Sequence, residues 1–343
     1  MRILLAGAIG LAGVACAAFA QTPPVQTVSV AARGETAPVG TGQADAADDP
    51  AIWRNRRDPA ASLIVGTDKK AGLYLYGLDG KARHFLPDGR LNNVALVDMG
   101  KRIGVIAVAS DRNDPAHAAL RLYRIDTVAE KLNPLGIVTG GPGEAYGVCV
   151  VRKGRELHAF SVLKSGTIHQ VRIDLTGPDP KGEVIRTMQV ATQAEGCVVD
   201  PRTRTLYVGE EDRGIWAFDA RPGAPVEGRL VAPVDGGHLV ADVEGLALAA
   251  SGRRGGWLIA SSQGDSAYAL YSLPDLKPAG RFRIADGTLG GTSETDGVDF
   301  VGGDFGPTYP AGLFVAQDGD NAPHAQNFKL VSWADIKAAL KLQ

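Results

Sequence analysis

One pattern recurs six times along the chain and constrains its fold more than any other feature. Each copy begins with a polar anchor residue, continues into a short apolar run and a turn, and ends in two further strand-like segments. The anchors are Asp49, Asn93, Tyr146, Glu195, Glu244 and Asp296. They recur about every 50 residues, and a period of that size with several strands per copy is typical of β-propeller blades.

The segments between the anchors have the periodicity of β-strands. GLYLYGL and TIHQVRI alternate apolar and polar residues, as half-buried strands do. The 44 glycines and 20 prolines are spread along the whole length and mark turns between short elements. We therefore predict an all-β fold, a six-bladed β-propeller, in which a strand over 25–31 completes the last blade, closes the ring and removes exposed sheet edges. Two stacked β-sandwiches are the alternative.

Polar residues also follow the second strand of each copy. In a propeller, equivalent positions form a ring about the axis, so these residues and the anchors should meet at one end of it. The strand-end residues are Lys69, Lys70, Asp111, Arg112, Lys164, Glu210, Glu211, Gln263 and Asp318. The first three blades contribute the cations Lys69, Arg112 and Lys164. The last three contribute mainly carboxylates, which are Glu195, Glu211, Asp242, Glu244, Asp296 and Asp318, with Asp48 and Asp49 adjoining across the closure.

The separation of the two charges predicts two kinds of ligand. Two carboxylates 4 Å apart repel by about 4 kcal/mol at an effective dielectric of 20, so the acidic arc needs a cation. Oxygen ligands without a cluster of His or Cys favour calcium over zinc. Several cations that face one cavity favour a polyphosphorylated anion. Taken singly, each of these residues is more often part of a turn or a solvated surface.

The composition and the N-terminal segment limit the function further. A formal net charge of -2 is too balanced for a protein that binds nucleic acid by neutralising phosphates. Residues 1–20 have a charged start, a short apolar run and small residues before Gln21, which is the pattern of a signal peptide cleaved after Ala20. A lipoprotein anchored through Cys16 is the alternative. We expect a secreted or periplasmic monomer with one domain over 21–343 and no nucleic-acid or membrane partner.

Two cysteines remain in that domain, Cys149 and Cys197, and each lies in an apolar strand-like run. They are too few for a disulfide framework and lack metal-thiolate spacing. Buried thiols and a single disulfide between neighbouring strands both stay open at this point.

Several motifs resemble those of the β-propeller (alkaline) phytases. They are DDPAIW, GTDKKAGLYLY, LNNV, ASDR, QAEGCVVD, LYVGEEDRGIW, DVEGL, LIASSQG, TSETDG, GLFVAQDGDN and QNFKLV. The resemblance runs in order from about residue 44 to 333, and the RHGxRxP signature of the histidine acid phosphatases is absent. It implies a six-bladed propeller with structural and catalytic calcium ions, and phytate, as its calcium salt, as the substrate.

The resemblance also implies roles for individual residues. Lys69, Arg112, Tyr146 and Lys164 would contact phosphate, and we add Lys70 and Gln263 to this substrate-binding set. Glu195, Glu211, Asp242, Glu244 and Asp296 would bind catalytic calcium and the attacking water. Asp49, Asp318, Asp320 and Asn321 would hold structural calcium, together with Asp48. Glu35 matches a further calcium ligand in a poorly aligned segment.

The chain departs from the family at one position. Gly290 stands where the family has a second aspartate before TSxTDG, and Asp286 is the nearest replacement. This departure concerns one calcium site and its affinity and leaves the reaction class unchanged.

These residues support direct hydrolysis by water, because no Ser, Cys or His stands in a nucleophile pair. The rival functions are a calcium-dependent propeller lactonase or esterase and a non-enzymatic propeller that binds partners on its rim. The three cations of the basic arc count against the first, and the organised acidic ring counts against the second.

Overall fold

Six largely antiparallel sheets, five of four strands and one of five, surround a central axis in the computed structural model, which describes residues 25–42 and 45–342. The predicted all-β, six-bladed propeller is confirmed. The segment predicted to be a signal peptide, 1–20, and the predicted domain start at residue 21 lie outside the described residues. Within the described ranges, no helix has the length and apolar character needed to cross a membrane.

Each blade is a meander of neighbouring strands. The first strands of the described residues are β1 (Thr27–Ala31) and β2 (Gly34–Glu35). Blade one contains β3 (Ala47–Trp53), β4 (Leu63–Asp68), β5 (Gly72–Gly77) and β6 (Ala82–Pro87). Blade two contains β7 (Leu91–Asp98), β8 (Val105–Asp111), β9 (His117–Asp126) and β10 (Lys131–Pro142). Blade three contains β11 (Ala145–Lys153), β12 (Glu156–Leu163), β13 (Thr167–Asp174) and β14 (Lys181–Gln189).

The second half of the chain repeats this arrangement. Blade four contains β15 (Ala194–Asp200), β16 (Thr205–Glu210), β17 (Gly214–Asp219) and β18 (Arg229–Pro233). Blade five contains β19 (Val243–Ser251), β20 (Gly255–Ser262), β21 (Ala267–Ser272) and β22 (Lys277–Ala285). Blade six contains β23 (Val298–Gly302), β24 (Gly312–Asp318) and β25 (Asn327–Ser332), and the helix α1 (Trp333–Leu340) follows it.

The N-terminal segment closes the ring, as predicted, but it does so through two blades. β1 pairs in parallel with β22 and becomes a fifth strand of blade five. β2 pairs antiparallel with β25 and supplies the missing fourth strand of blade six. The prediction that 25–31 completes the last blade is therefore corrected. The apolar side chain of Val30 explains the position of β1, because it packs into the hydrophobic layer shared by blades five and six.

Apolar layers between adjacent blades form the core. Between blades five and six, Phe282 and Phe314 are fully buried and their ring centroids lie 5.5 Å apart. Burial of one such side chain contributes about 1.5–3 kcal/mol. Because every blade packs against two neighbours, these layers hold the ring and fix the positions of the strands around the axis.

The first strand of each blade lies next to the axis, and five of these strands contain a β-bulge at the anchor. The register shifts lie between Ala47 and Pro50, Leu91 and Val94, Ala145 and Gly147, Ala194 and Cys197, and Val243 and Leu246. A bulge leaves residues unpaired and changes the direction of a side chain. The side chains of the anchors therefore need not follow the alternation between the two faces of a regular strand.

Cys149 and Cys197 form a disulfide, with their Cα atoms 5.7 Å apart. The bond joins β11 to β15, the innermost strands of blades three and four. Of the two interpretations left open by the sequence, the structure therefore has the disulfide and not the pair of buried thiols.

Candidate active site at the end of the propeller axis

Antiparallel pairing brings the anchors and the strand-end residues to the same end of the axis. The first residue of an inner strand pairs with the last residue of the second strand, as Ala47 does with Asp68 and Ala194 with Glu210. Lys69 and Glu211 follow these second strands directly. The side chains that the sequence predicts for the site therefore share one end of the propeller.

Three glutamates form the centre of the acidic side. Glu195, Glu211 and Glu244 each offer a carboxylate oxygen, and these oxygens all lie within 4.8 Å of one another. Glu195 is 4% exposed and Glu244 is 6% exposed. The Oε2 atom of Glu244 is buried without a hydrogen-bond partner among the described residues. A buried carboxylate oxygen without a partner is costly, so this cluster requires a compensating group.

The electrostatics of the cluster lead to the same requirement. Burial raises the pKa of Glu195 and of Glu244 well above the usual range, and the charges of neighbouring carboxylates raise both further. Burial, followed by the charge of Asp48, raises the pKa of Asp296 to about 8. Burial also raises the pKa of Glu211. Without a cation, the site favours protonated carboxyl groups at neutral pH.

The donor set fits a hard divalent cation. All three ligand atoms of the triad are carboxylate oxygens, as calcium prefers. Asp242 lies close enough for its charge to raise the pKa of both Glu211 and Glu244. Glu195, Glu211 and Glu244 would hold the ion, with Asp242 and Asp296 beside them.

Lys69 lies on the acidic side and not among the other cations. Its Nζ atom is 2.8 Å from carboxylate oxygens of Asp45, Asp48 and Asp296. Burial acts to lower the pKa of Lys69, but the charges of Asp48 and Asp296 outweigh it and raise the pKa. Lys69 therefore neutralises part of the acidic cluster in this structure.

Arg112 and Lys164 form the basic side around Tyr146. The Arg112 Cζ atom lies 5.2 Å and the Lys164 Nζ atom 5.3 Å from the centroid of the Tyr146 ring. Arg112 also donates to Glu144. Burial raises the pKa of the Tyr146 hydroxyl, and the charges of Glu195 and Glu244 add to it. The tyrosine thus lies between the two cations and the glutamates.

Two amide side chains that the sequence analysis missed connect the two sides. Asn92 Nδ2 donates to Asp48 Oδ2 at 3.1 Å and to Glu195 Oε1 at 2.8 Å, and Asn92 Oδ1 accepts from Arg112 Nη1 at 2.5 Å. Gln193 Nε2 donates to Glu211 Oε1 at 2.6 Å and to the Tyr146 hydroxyl at 3.4 Å. Each amide is therefore hydrogen-bonded both to a predicted calcium-binding carboxylate and to a predicted phosphate-binding residue.

A weak sequence signal could have found Gln193. A polar residue stands two positions before the anchor in four of the six copies, and period-two spacing keeps side chains on one side of an extended chain. These residues are Glu144, Gln193, Asp242 and Glu294. The corresponding signal for Asn92 is its position next to the anchor Asn93.

The remaining predicted residues of this end have different surroundings. Gln263 Nε2 donates to Asp296 Oδ1 at 2.6 Å, on the acidic side. Asp49 is buried, and its Oδ2 accepts from the backbone N–H of Val94 at 3.0 Å, which links blades one and two. The side chain of Lys70 is exposed. The structure thus brings Gln263 into the site and leaves Lys70 on the surface turn.

A second polar cluster lies where the N-terminal segment meets blade six. Lys329 is fully buried, and its Nζ atom is 2.5 Å from Glu35 Oε2, 3.2 Å from Asn321 Oδ1 and 3.3 Å from Asp318 Oδ2. A Cβ atom at Gly290 would lie 3.5 Å from the same Nζ atom. The position where the family has an aspartate therefore faces an ammonium group.

Oxygen ligands also line the outer side of this cluster. A cavity of about 500 Å³ is lined by Asp286, Asp318, Asp320 and Asn321, among other residues. Asp286 Oδ1 accepts from the backbone N–H of Gly291 at 2.9 Å. Lys329 already balances Glu35 and Asp318, so the cluster has less unbalanced negative charge than the glutamate triad.

The sequence of this chain is similar to those of known proteins. A family model described as Phytase matches residues 2–343. A curated protein named 3-phytase, from Bacillus subtilis (strain 168), is 40% identical over 324 residues, which cover 90% of this chain and 84% of that protein. The family match therefore includes every described strand that contributes to the axial site.

Proposed function

We propose that this chain, which belongs to the phytase family, acts as a 3-phytase. Such an enzyme is a phosphoric monoester hydrolase, and here it would use calcium to release phosphate from myo-inositol hexakisphosphate. One observation carries the calcium-dependent mechanism. A glutamate triad that needs a cation, with Glu195 and Glu244 buried, adjoins a tyrosine ring beside two cations that suit an anion. Calcium and a phosphate ester together would satisfy both needs.

The basic residues would bind the substrate. Arg112 presents a planar guanidinium that suits two phosphate oxygens, and Lys164 adds a point charge near the same Tyr146 ring. Lys69, once released from its carboxylates by a bound cation, would become available to a phosphate oxygen. These cations would stabilise the charge that develops on the transferring phosphoryl group.

The carboxylates would bind calcium and orient water. Calcium, when bound, would lower the pKa of a coordinated water and shield the phosphate charge. Glu211 is partly exposed and adjoins Asp242, so it can accept a proton from a water at the edge of the triad. Attack of that water on phosphorus would give inorganic phosphate and an inositol phosphate with one free hydroxyl.

The proposal extends to further calcium binding and to the location of the protein. Asp318, Asp320 and Asn321 would hold a structural calcium ion in the cavity that Asp286 also lines. The disulfide between Cys149 and Cys197 is typical of exported proteins and supports a secreted or periplasmic location. We also propose that the protein is a monomer and acts on the calcium salt of phytate.

Phosphate release from phytate tests the function directly. After exhaustive chelation we expect negligible release, and we expect calcium to restore it. Equal release before and after chelation would contradict the metal-dependent mechanism. Hydrolysis of a lactone and of a carboxylic ester under the same conditions tests the rival propeller hydrolase, for which the two cations beside Tyr146 have no role.

A further inference from the structure

The acidic and basic sides of the site are connected by hydrogen bonds and not by proximity alone. Asn92 is 1% exposed, and its single amide group contacts Glu195 and Asp48 through nitrogen and Arg112 through oxygen. An amide is suited to this position because it donates and accepts from the same planar group. One planar amide group therefore joins Glu195 to Arg112.

Gln193 makes a second connection, through the Tyr146 hydroxyl. Its nitrogen donates to Glu211 and to the Tyr146 hydroxyl. The Tyr146 ring in turn contacts Arg112 and Lys164. Two separate amides thus join a triad carboxylate to a group of the basic side.

We propose that Asn92 and Gln193 are positioning residues that couple calcium binding to phosphate binding, so that each ligand prepares the site of the other. This inference rests on the proposed function. A cation on the triad fixes Glu195 and Glu211, which fixes the two amides and so restricts Arg112 and Tyr146 to one arrangement. Binding of the first ligand then supplies the free energy needed to order these residues, so the second ligand binds more tightly.

Asn92→Leu tests the coupling, because leucine has a similar size and lacks both hydrogen-bonding functions. Calcium affinity would be measured by equilibrium titration with and without myo-inositol hexakissulfate, a sulfated analogue used as the anion. The wild-type ratio of the two calcium affinities is the coupling factor, which commonly lies between about 5 and 150. We expect this factor to fall at least about twofold in Asn92→Leu. Direct attraction between calcium and the anion would keep it above one.

Two further variants keep the test decisive. Gln193 is only partly buried, and Gln193→Leu carries the same prediction. Gln193→Leu therefore replaces Asn92→Leu if that variant does not fold. Gln170→Leu is the matched control, because Gln170 is a fully buried amide that donates to Ala220 in the outer part of the ring. Its coupling factor should equal that of the wild type.

The possible outcomes separate this inference from the proposed function. If both leucine variants keep the wild-type coupling factor while the wild type binds calcium and releases phosphate, the coupling role is wrong and the function stands. Lower affinities for both ligands with an unchanged factor would indicate a merely structural role and would equally overturn the inference. A wild-type protein that neither binds calcium nor releases phosphate would overturn both.

Discussion

At the scale of single residues, the site contains two kinds of charge whose removal should have different effects. Lys164 approaches Tyr146 and belongs to the predicted phosphate-binding side, whereas Glu211 belongs to the triad. Lys164→Ala removes a charge-assisted contact worth about 1.5–3 kcal/mol. We expect a loss of roughly ten- to a hundredfold in kcat/KM. At saturating phytate, the calcium concentration for half activity should not change.

Glu211→Gln should behave in the opposite way. It removes a negative ligand, so the calcium concentration for half activity should rise, and turnover should stay low even at saturating calcium. Phosphate release measured against a calcium titration distinguishes the two variants. A shifted calcium midpoint in Lys164→Ala with an unshifted one in Glu211→Gln would reverse the assignment of the two sides.

The raised pKa values predict how stability depends on pH when calcium is absent. The folded state holds protons on Glu195, Glu244 and Asp296 at a pH where the unfolded chain has lost them, and the pKa of Asp296 is about 8. Because the folded state binds more protons between about pH 4 and 8, the free energy of unfolding should fall as pH rises through this range. Calcium should remove much of this dependence by neutralising the carboxylates.

Thermal melting at several pH values, with calcium and with chelator, measures this effect. A chelated protein whose melting temperature rises from pH 5 to pH 8 would show that Glu195, Glu244 and Asp296 are not the dominant titrating groups. The chelated and calcium-loaded curves should converge at acid pH, where the carboxyl groups are protonated.

At the scale of single elements, the inner strands touch one another at glycines that follow the anchors. A Cβ atom at Gly196 would lie 2.1 Å from the carbonyl oxygen of Glu244, and one at Gly245 would lie 2.7 Å from that of Asp296. The bulged strands β15 and β19 can therefore approach closely only because these positions lack a side chain. This contact sets the separation of two triad members.

Gly196→Ala should consequently impair both stability and calcium binding. Overpacking of this kind costs about 1–3 kcal/mol, and a displaced Glu244 should raise the calcium concentration for half activity. Gly177→Ala is the control, because a Cβ there would meet its nearest atom, Asp179 O, at an ordinary 3.6 Å. Calorimetry and a calcium titration of both variants give the comparison. Wild-type values for both quantities in Gly196→Ala would show that the strands can separate without consequence.

At the scale of the whole molecule, ring closure depends on a very short strand. β2 contributes only Gly34 and Glu35 to blade six, and Glu35 pairs in register with Lys329. Burial acts to raise the pKa of Glu35, but the hydrogen bonds from Lys329 and Asn327 and the charge of Lys329 together outweigh it and lower the pKa. The buried ammonium is thus part of the closure of the ring.

Lys329→Met should therefore destabilise the closed ring. It leaves Glu35 and Asp318 without their cation, and breaking a buried ion pair in this way costs about 3–5 kcal/mol. The exposed Lys81→Met is the control and should change the melting temperature little. Calcium should restore part of the loss in Lys329→Met, because the vacated oxygens can then bind a cation. A melting temperature equal to that of the wild type would show that the closure does not need the ammonium.

The sequence by itself determined the number of blades and the charge of each side of the site. Both follow from local information, because the repeat specifies strands and turns and each blade adds the same two positions to the ring. The same repeat indicated that Glu195, Glu211 and Glu244 lie together. The family of the chain was also evident from its motifs, and the comparisons bear this out.

Only the tertiary structure decided which residues share hydrogen bonds across blades. Lys69 belongs by sequence to the basic blades, yet the closure of the ring brings blade one against blade six and places its ammonium beside Asp296. Asn92 and Gln193 connect the two sides of the site because each has a hydrogen-bond partner on another blade. The division of the N-terminal segment between blades five and six depends on how Val30 packs. These features rest on contacts between residues distant in sequence, and a repeat pattern carries no information about such contacts.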